Sequence, residues 1–158
     1  MEISLKEIDK QNYCEIGELN VSKEQEGLLA PNVWSLLEYK FEDDLTVKAI
    51  YLNKKPVGFL MWGQETTEKI SIWRFMVDQK FQAQGIGRKA LKLALEEIKA
   101  TPNVKLIEIC YDPKNSVAKE FYSSFGFIET ELHENDHDML AMIDLSTNIP
   151  IAVNTNNP

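Results

Sequence analysis

The sequence lacks the hydrophobic segments that would place it in or across a membrane. No stretch approaches the roughly 18 uninterrupted apolar residues of a transmembrane helix. The first residues, Met-Glu-Ile-Ser-Leu-Lys-Glu, also lack the apolar centre of a signal peptide. We therefore expect a cytoplasmic protein with no membrane partner.

Cysteine is equally scarce, which argues against a disulfide framework and against a cysteine-based metal site. Cys14 and Cys110 are the two cysteines of the chain, and their separation matches no metal-ligand spacing. We expect no metal. Because Cys110 lies inside an apolar run, we expect it to be reduced and buried.

Positive charge is in deficit. The chain has 17 Lys and Arg against 25 Asp and Glu, which gives a net charge of −8. This balance disfavours nucleic acid as the main partner and is compatible with a small cationic substrate. Acidity that merely keeps the protein soluble is the simpler alternative.

The chain of 158 residues contains alternating segments typical of strands and helices. We expect one domain at 1–146 and a C-terminal tail at 147–158. Apolar patterning predicts strands at 3–8, 46–52, 56–62, 70–77, 104–110, 127–132 and 139–145. It predicts a helix at 10–20, followed in residues 22–39 by two helical pieces that Gly27 and Pro31 separate. Two further helices are predicted, one from residue 87 to about Ala100 and one at 116–125. Asn32 is a plausible cap for the second of the two pieces. The order predicts an α+β fold, a twisted mixed sheet with helices on both faces.

Residues 82–87, Gln-Ala-Gln-Gly-Ile-Gly, connect an apolar strand to a predicted helix. The first N–H groups of a helix lack internal partners and carry partial positive charge, and glycines at 85 and 87 would let an anion approach them. An ordinary strand-to-helix turn is the alternative. A Walker loop would need Lys-Ser/Thr after the second glycine, and a dinucleotide fingerprint would need a third glycine. Three cations near the helix start, which oppose the helix dipole, favour an anionic ligand: Arg88, Lys89 and Lys92.

A second motif lies at residues 115–127, where Tyr122 is in the middle of a predicted helix near the ends of two central strands. A phenol with an ordinary pKa near 10 can serve as a proton donor to a leaving thiolate, whose conjugate thiol titrates at about 8.5. Taken alone, Tyr122 is also compatible with a half-buried core aromatic. Asn115 is also compatible with a simple helix cap.

Together, Gln82-x-x-Gly85-x-Gly87 and Asn115-x-x-Ala118-x-x-x-Tyr122-x-x-x-Gly126-Phe127 resemble the GCN5-related N-acetyltransferase (GNAT) superfamily over roughly residues 2–145. The resemblance implies the GNAT fold, with a mostly antiparallel sheet, and acetyl-CoA as donor. It implies direct transfer with Tyr122 as general acid, and neither cysteine lies in either motif. The implied cofactor contacts are the backbone of Phe75, Met76 and Val77 toward pantetheine, the residues Gln82, Ala83, Gln84, Gly85, Ile86, Gly87 and Arg88 toward pyrophosphate, and the side chains of Asn115 and Lys119.

Within the superfamily, residues 21–32 and 73–78 resemble bacterial spermine/spermidine (diamine) acetyltransferases. This resemblance implies a polyamine acceptor, although another amine, or a non-catalytic acetyl-CoA-binding module, stays open. Trp73 occupies the strand position at which some polyamine acetyltransferases have a glutamate that can act as general base. The identity of a general base in this chain therefore stays open too. A homodimer is possible, because Trp34 and Trp62 would fit an interface as well as a core. The acidic residues expected to line the acceptor groove are Glu24, Glu26, Glu42, Asp43 and Asp44, and Trp73 would join them.

Overall fold

The computed structural model describes residues 1–133 and 137–147 of the chain. The strands are β1 (Ile3–Lys6), β2 (Leu45–Leu52), β3 (Lys55–Thr66), β4 (Lys69–Val77), β5 (Leu106–Tyr111), β6 (Ile128–Leu132) and β7 (Met139–Asp144). The helices are α1 (Tyr13–Gly17), α2 (Asn32–Phe41), α3 (Ile86–Lys99) and α4 (Ser116–Ser123). Short 3-10 turns lie at Lys23–Gln25 and Gln79–Phe81.

The strands form one seven-stranded sheet in the order β1-β2-β3-β4-β5-β7-β6. The β4–β5 pair is parallel and every other pair is antiparallel. The parallel pair follows from the α3 crossover, because a helix returns the chain to the end at which the preceding strand began. The predicted mixed, mostly antiparallel α+β sheet is confirmed.

Helices cover both faces of this sheet, as predicted. On one face, Leu91, Ala94, Leu95 and Ile98 of α3 are buried, which confirms the i, i+3, i+4, i+7 apolar spacing that predicts this helix from the sequence. Aromatic residues of α4 pack into the same cluster. On the other face, Ile16 of α1 and Leu36 of α2 belong to a smaller cluster with the strands β2 and β3. The core is therefore a three-layer arrangement of helix, sheet and helix.

Several element boundaries differ from the prediction because polar residues continue or interrupt the pattern. The strand predicted at 56–62 continues to Thr66, since the polar segment after Trp62 pairs with the start of β4. The helix predicted at 10–20 is restricted to α1. The piece before Gly27 is a single 3-10 turn rather than a helix.

Two residue-level predictions were wrong. Asn32 is not a cap: Pro31 occupies the N-cap position, while the buried Asn32 amide donates to the Ile16 carbonyl at 2.9 Å and joins α2 to α1. Cys110 is a free thiol, as predicted, but it is exposed rather than buried. Its side chain lies on the face of the sheet that carries α1 and α2. These helices pack on β2 and β3 and leave β5 uncovered.

The two tryptophans considered for an interface have different environments. Trp62 is 5% exposed and belongs to the core, whereas Trp34 on α2 is 61% exposed. The homodimer stays a prediction. None of the helices in the described part of the chain has the length and hydrophobicity needed to span a bilayer. The predicted tail at 147–158 lies outside the described residues except for Thr147, as does the centre of the loop before β7.

Candidate active site

The parallel strands β4 and β5 diverge in the middle of the sheet. Their pairing runs from Lys69↔Leu106 to Ile72↔Ile109 and then ends. Trp73 lies at this point and forms a bulge, because Met61 pairs with Arg74 and Trp62 with Ile72. In the described residues, no strand pairs with β4 beyond Ile72 on the β5 side. The backbone N–H and C=O groups of the last β4 residues that point away from β3 therefore line an opening in the sheet.

The three residues predicted to bind pantetheine lie along this open edge. Phe75, Met76 and Val77 pair with β3 on their other side, and the backbone groups that point away from β3 face the opening. Of these groups, the Val77 carbonyl already accepts from the Gln82 side chain. An extended ligand could bind here as an additional strand. The contact itself stays a prediction.

The predicted pyrophosphate loop follows directly and begins α3. Gly85 occupies the N-cap position with φ of 77°, a left-handed conformation that favours glycine. The first turn of α3 contains no acidic residue, and no described side chain accepts a hydrogen bond from its N–H groups. Its positive end is thus exposed to an anion.

Gly87 faces side chains at the end of β4. A Cβ placed on Gly87 would be 3.4 Å from Phe75 Cζ and 3.7 Å from Val77 Cγ2. The missing side chain leaves a narrow space between the helix start and the edge of β4. Ile86, by contrast, is buried in the core, so only its backbone can contribute to anion binding.

Two of the predicted pyrophosphate residues direct their side chains to protein partners. The Gln82 amide nitrogen donates to the Val77 carbonyl at 2.9 Å and to Gln25 Oε1 at 2.7 Å. Arg88 donates to Ser124 Oγ at 3.0 Å, and its guanidinium lies over the rings of Phe121 and Phe125. Arg88 therefore links the start of α3 to the end of α4 across the opening.

Tyr122 lies among aromatic rings at the end of β5. Its ring stacks on Tyr111 at a centroid distance of 5.5 Å and meets Phe121 and Phe127 edge-on. Burial raises the pKa of Tyr122 well above its usual value, and the neighbouring Cys110 and Tyr111 raise it further. The phenol is therefore neutral at pH 7. Because its pKa exceeds that of a thiol, a hydrogen bond from this phenol to a thiolate sulfur is favoured over complete proton transfer.

The other two predicted cofactor side chains in this region also have protein partners. Asn115 accepts a hydrogen bond from the Ala118 N–H at 3.1 Å, so it is the cap of α4. Lys119 is paired with Glu129 at 2.8 Å, and Glu129 also accepts the Tyr111 hydroxyl at 2.8 Å. These two partners lower the pKa of Glu129, and burial together with Glu129 raises the pKa of Tyr111 to about 12.

The acidic residues predicted to line one groove are not brought together. Glu24 and Glu26 are exposed beside the end of β4, since Gln25 between them bonds Gln82. Glu42, Asp43 and Asp44 lie between α2 and β2, and the Asp44 carbonyl accepts from Gln64 beside the start of β4. At about 3.3 Å per residue, the two groups are roughly 20 Å apart along the sheet. The α2 helix separates them because it carries the chain from one end of the sheet to the other.

A different pair of carboxylates lies on the open face beside Trp73, and the sequence reading missed it. Lys69 is 2.7 Å from Glu65 and 3.3 Å from Glu108, and the Ser71 hydroxyl donates to Glu108 at 3.1 Å. Burial would raise the pKa of Glu65, but the hydrogen-bonding groups of Lys69, Ser71 and Trp73 outweigh it and hold this pKa below its usual value. Glu108 is only 8% exposed. A charged residue inside the apolar run 104–110 was the sequence signal that would have identified it.

Cys110 lies two residues beyond Glu108 on the same face of β5, since side chains alternate along a strand. Partial desolvation raises the pKa of its thiol, and the carboxylates of Asp138 and Glu108 raise it further. This thiol is therefore protonated at neutral pH. Among the described residues, no group of three or more His, Cys, Asp or Glu side chains is arranged to hold a metal ion.

Two surface depressions of about 450 and 680 Å³ lie elsewhere, beside α1. The larger is lined by residues that include Tyr13, Leu36, Tyr39 and Val47, between α1, α2 and β2. Neither contains a residue of the β4–β5 opening, so the geometry of the strands identifies the candidate site better than the size of a depression.

Comparison with known proteins agrees with this geometry. The sequence matches the acetyltransferase (GNAT) family over residues 13–127. It is 27% identical over 134 residues to the spermine/spermidine N(1)-acetyltransferase of Bacillus subtilis, a similarity that covers 80% of this chain and 88% of that protein.

Solved structures share the fold at low identity. The spermidine N-acetyltransferase of Vibrio cholerae, in complex with CoA and spermine, superposes with a TM-score of 0.74 at 15% identity, over 91% of this chain and 96% of that one. The ribosomal-protein-S18-alanine N-acetyltransferase of Escherichia coli gives 0.71 at 16% identity, over 92% and 96%. Because proteins named for such different acceptors share it, the fold does not select the acceptor.

Proposed function

The chain belongs to the acetyltransferase (GNAT) family, and on that premise we propose that it transfers an acetyl group from acetyl-CoA to a primary amine of a polyamine. The observation that carries the proposal is the β4–β5 opening, where an unpaired strand edge, an uncapped helix start and Tyr122 meet. An acetyl-CoA molecule needs these three features: hydrogen-bonding groups for pantetheine, N–H donors for pyrophosphate and a donor near the sulfur.

The residues of the opening fit the donor. The backbone of Phe75, Met76 and Val77 would bind pantetheine, and the N–H groups of 82–88 would bind pyrophosphate. The narrow space beside Gly87 supports a ligand that passes between α3 and β4, because even one methyl group would occupy it. Asn115 and Lys119 are secondary contacts in this proposal, since each already has a protein partner.

Direct transfer requires a neutral amine, because an ammonium nitrogen has no free electron pair, and we propose that the amine loses its ammonium proton to solvent on entry. A backbone N–H of β4 next to the Trp73 bulge would polarise the thioester carbonyl while the amine nitrogen attacks its carbon. The proton that this nitrogen gives up once the carbon–nitrogen bond has formed also passes to solvent, and CoA leaves as the thiolate. As the carbon–sulfur bond breaks, the Tyr122 hydroxyl would donate to the departing sulfur. Its raised pKa keeps that proton on the phenol at neutral pH. Stabilising the sulfur by a hydrogen bond is thus the main role that we propose for Tyr122.

The acceptor is supported by charge and by relatives. The net charge of −8 favours encounter with cations, and a relative at 27% identity is named for spermine and spermidine. Glu65 and Glu108 on the open face beside Trp73, with Lys69 as their shared cation, retain an excess negative charge close to the opening. Glu24 and Glu26 would add charge from the end of β4, whereas Glu42 lies too far away to join them.

The test is CoA release from acetyl-CoA in the presence of spermine, spermidine, putrescine, an amino acid, an aminoglycoside or a peptide with a free N-terminus. We expect turnover with the polyamines. Turnover confined to another amine would contradict the acceptor but not the reaction. Acetyl-CoA binding without turnover on any amine, including peptide N-termini, would indicate a non-catalytic binding module.

A further inference from the structure

The segment 20–25, which follows α1 and ends with the 3-10 turn Lys23–Gln25, is bonded directly to the predicted pyrophosphate loop. Asp78, which is only 6% exposed, accepts the Asn20 N–H at 3.0 Å with one carboxylate oxygen and the Lys80 N–H at 3.0 Å with the other. The Gln79 N–H donates to the Asn20 carbonyl at 2.8 Å. The start of the loop is therefore joined to segment 20–25 through both backbone and side chain.

A second connection is made entirely by two glutamine side chains. The Gln82 amide donates one hydrogen to the Val77 carbonyl at 2.9 Å and the other to Gln25 Oε1 at 2.7 Å. Gln25 Oε1 also accepts the Ser22 N–H at 3.3 Å. Both amide hydrogens of Gln82 are thus used, and one side chain joins the end of β4, the loop and segment 20–25.

We propose that Gln25 and Gln82 are positioning residues that couple occupancy of the donor site to the order of segment 20–25. The inference rests on the proposed function, because the coupling begins with acetyl-CoA against the loop. An anion that fixes the 82–87 backbone also fixes the Gln82 side chain, which holds Gln25 in place. Segment 20–25 carries Glu24, so the acceptor side is ordered when the donor site is filled. By linkage, an acceptor that contacts this segment raises the affinity for the donor by the same factor.

The chemistry of Gln25 provides a rescue variant. Only its oxygen is used, and it accepts from both Ser22 and Gln82. Gln25→Glu keeps an acceptor for both donors, whereas Gln25→Leu keeps the size of the side chain and removes both hydrogen bonds. A purely steric role for residue 25 would rank these variants in the opposite order, because Leu packs and a carboxylate does not.

The experiment measures hydrogen–deuterium exchange of the full chain with and without CoA, which binds without turnover. In wild type we expect CoA to slow exchange in both 82–87 and 20–25. In Gln25→Leu the protection of 82–87 should remain, while CoA-induced protection of 20–25 falls about fivefold, which is the effect of one neutral hydrogen bond. Gln25→Glu should restore it. Gln82→Leu in the Gln25→Leu background should cause no further loss in 20–25, because both changes break the same bond.

Gln11→Leu is the matched control, since Gln11 is an exposed glutamine between β1 and α1. It should respond to CoA as wild type does. For each variant, exchange with CoA is compared with exchange of the same variant without CoA. Protection of 82–87 without protection of 20–25 in wild type would overturn the coupling and leave the proposed donor intact. Equal responses of Gln25→Leu and wild type would overturn it as well. If CoA protects neither segment, both the coupling and the proposed function fail.

Discussion

Replacing Gly87 by alanine should stabilise the folded protein while weakening its binding of acetyl-CoA. Gly87 is helical, and alanine is preferred over glycine within a helix by roughly 0.5–1 kcal/mol. The new Cβ would be 3.4 Å from Phe75 Cζ, 3.7 Å from Val77 Cγ2 and 4.0 Å from Phe121 Cζ, all ordinary contacts. Because Gly87 lies in the first turn, we expect the low end, about 0.5 kcal/mol, or roughly 1–2 °C in Tm for a chain of this size.

The same methyl group would occupy the space between α3 and the edge of β4. A ligand anion held there would lose about one charge-assisted hydrogen bond, roughly 1.5–3 kcal/mol, so the Kd for CoA should rise at least tenfold. The assay pairs differential scanning calorimetry of the ligand-free protein with calorimetric titration of CoA. Stability and affinity should change in opposite directions.

Gly85→Ala is the matched comparison two residues away. Its Cβ would meet nothing within 4 Å, but φ of 77° strains any side chain. We expect a loss of about 1 kcal/mol in the free energy of unfolding. If Gly87→Ala binds CoA as tightly as wild type, the loop is an ordinary turn and the reasoning from its geometry is refuted. A lower Tm for Gly87→Ala than for wild type would contradict the expectation that the new Cβ makes ordinary contacts with its neighbours.

Three further predictions concern the site and its surroundings. Tyr122→Phe should preserve the ring contacts and the affinity for acetyl-CoA but lower kcat about 100-fold; unchanged turnover would remove Tyr122 from the mechanism. The KM for spermidine should rise with ionic strength, because carboxylates that bind a polycation are screened by salt, and a KM that is flat from low to high salt would speak against such a site. The lowered pKa of Glu65 means that its ion pair stabilises the fold above the unfolded pKa near 4.3 and ceases to do so as pH falls through the folded value. The difference in urea midpoint between wild type and Glu65→Gln should therefore shrink from pH 7 to pH 3, and a constant difference would contradict it.

The parts of the fold that were predictable are those governed by local patterns. The α3 face of Leu91, Ala94, Leu95 and Ile98 follows helical spacing, and each of these residues is buried. The two glycines after β4 and the tyrosine of α4 could be related to each other because their motifs resemble a known family. The role of Asn32 was not predictable from a local pattern, since its side chain donates to the Ile16 carbonyl of α1 and does not form the local cap that its residue type favours.

The acceptor side was less predictable because it depends on strand register. A grouping of Glu42 with Glu24 was reasonable from their separation in sequence, but α2 directs them to different ends of the sheet. Glu108 and Glu65 share Lys69 only because β5 pairs in parallel with β4 and β3 pairs with it antiparallel. The Glu65–Lys69 contact is local, because it spans the β3–β4 hairpin. No local pattern contains the β4–β5 register that brings Glu108 to Lys69.

The sequence by itself determined the strands, the helices α2, α3 and α4, the family and the place of the glycine loop that begins α3, since apolar periodicity and glycine at a helix start act over a few neighbouring residues. Only the tertiary structure decided where β4 and β5 separate, that Trp73 is a bulge, and which partners the Gln82 amide joins. The physical reason is that hydrogen bonds between distant segments depend on pairing register and helix direction, and the whole sheet sets both. From the sequence alone, residues 82–87 are compatible with an ordinary turn. They form part of a candidate binding site because β4 and β5 separate beside them.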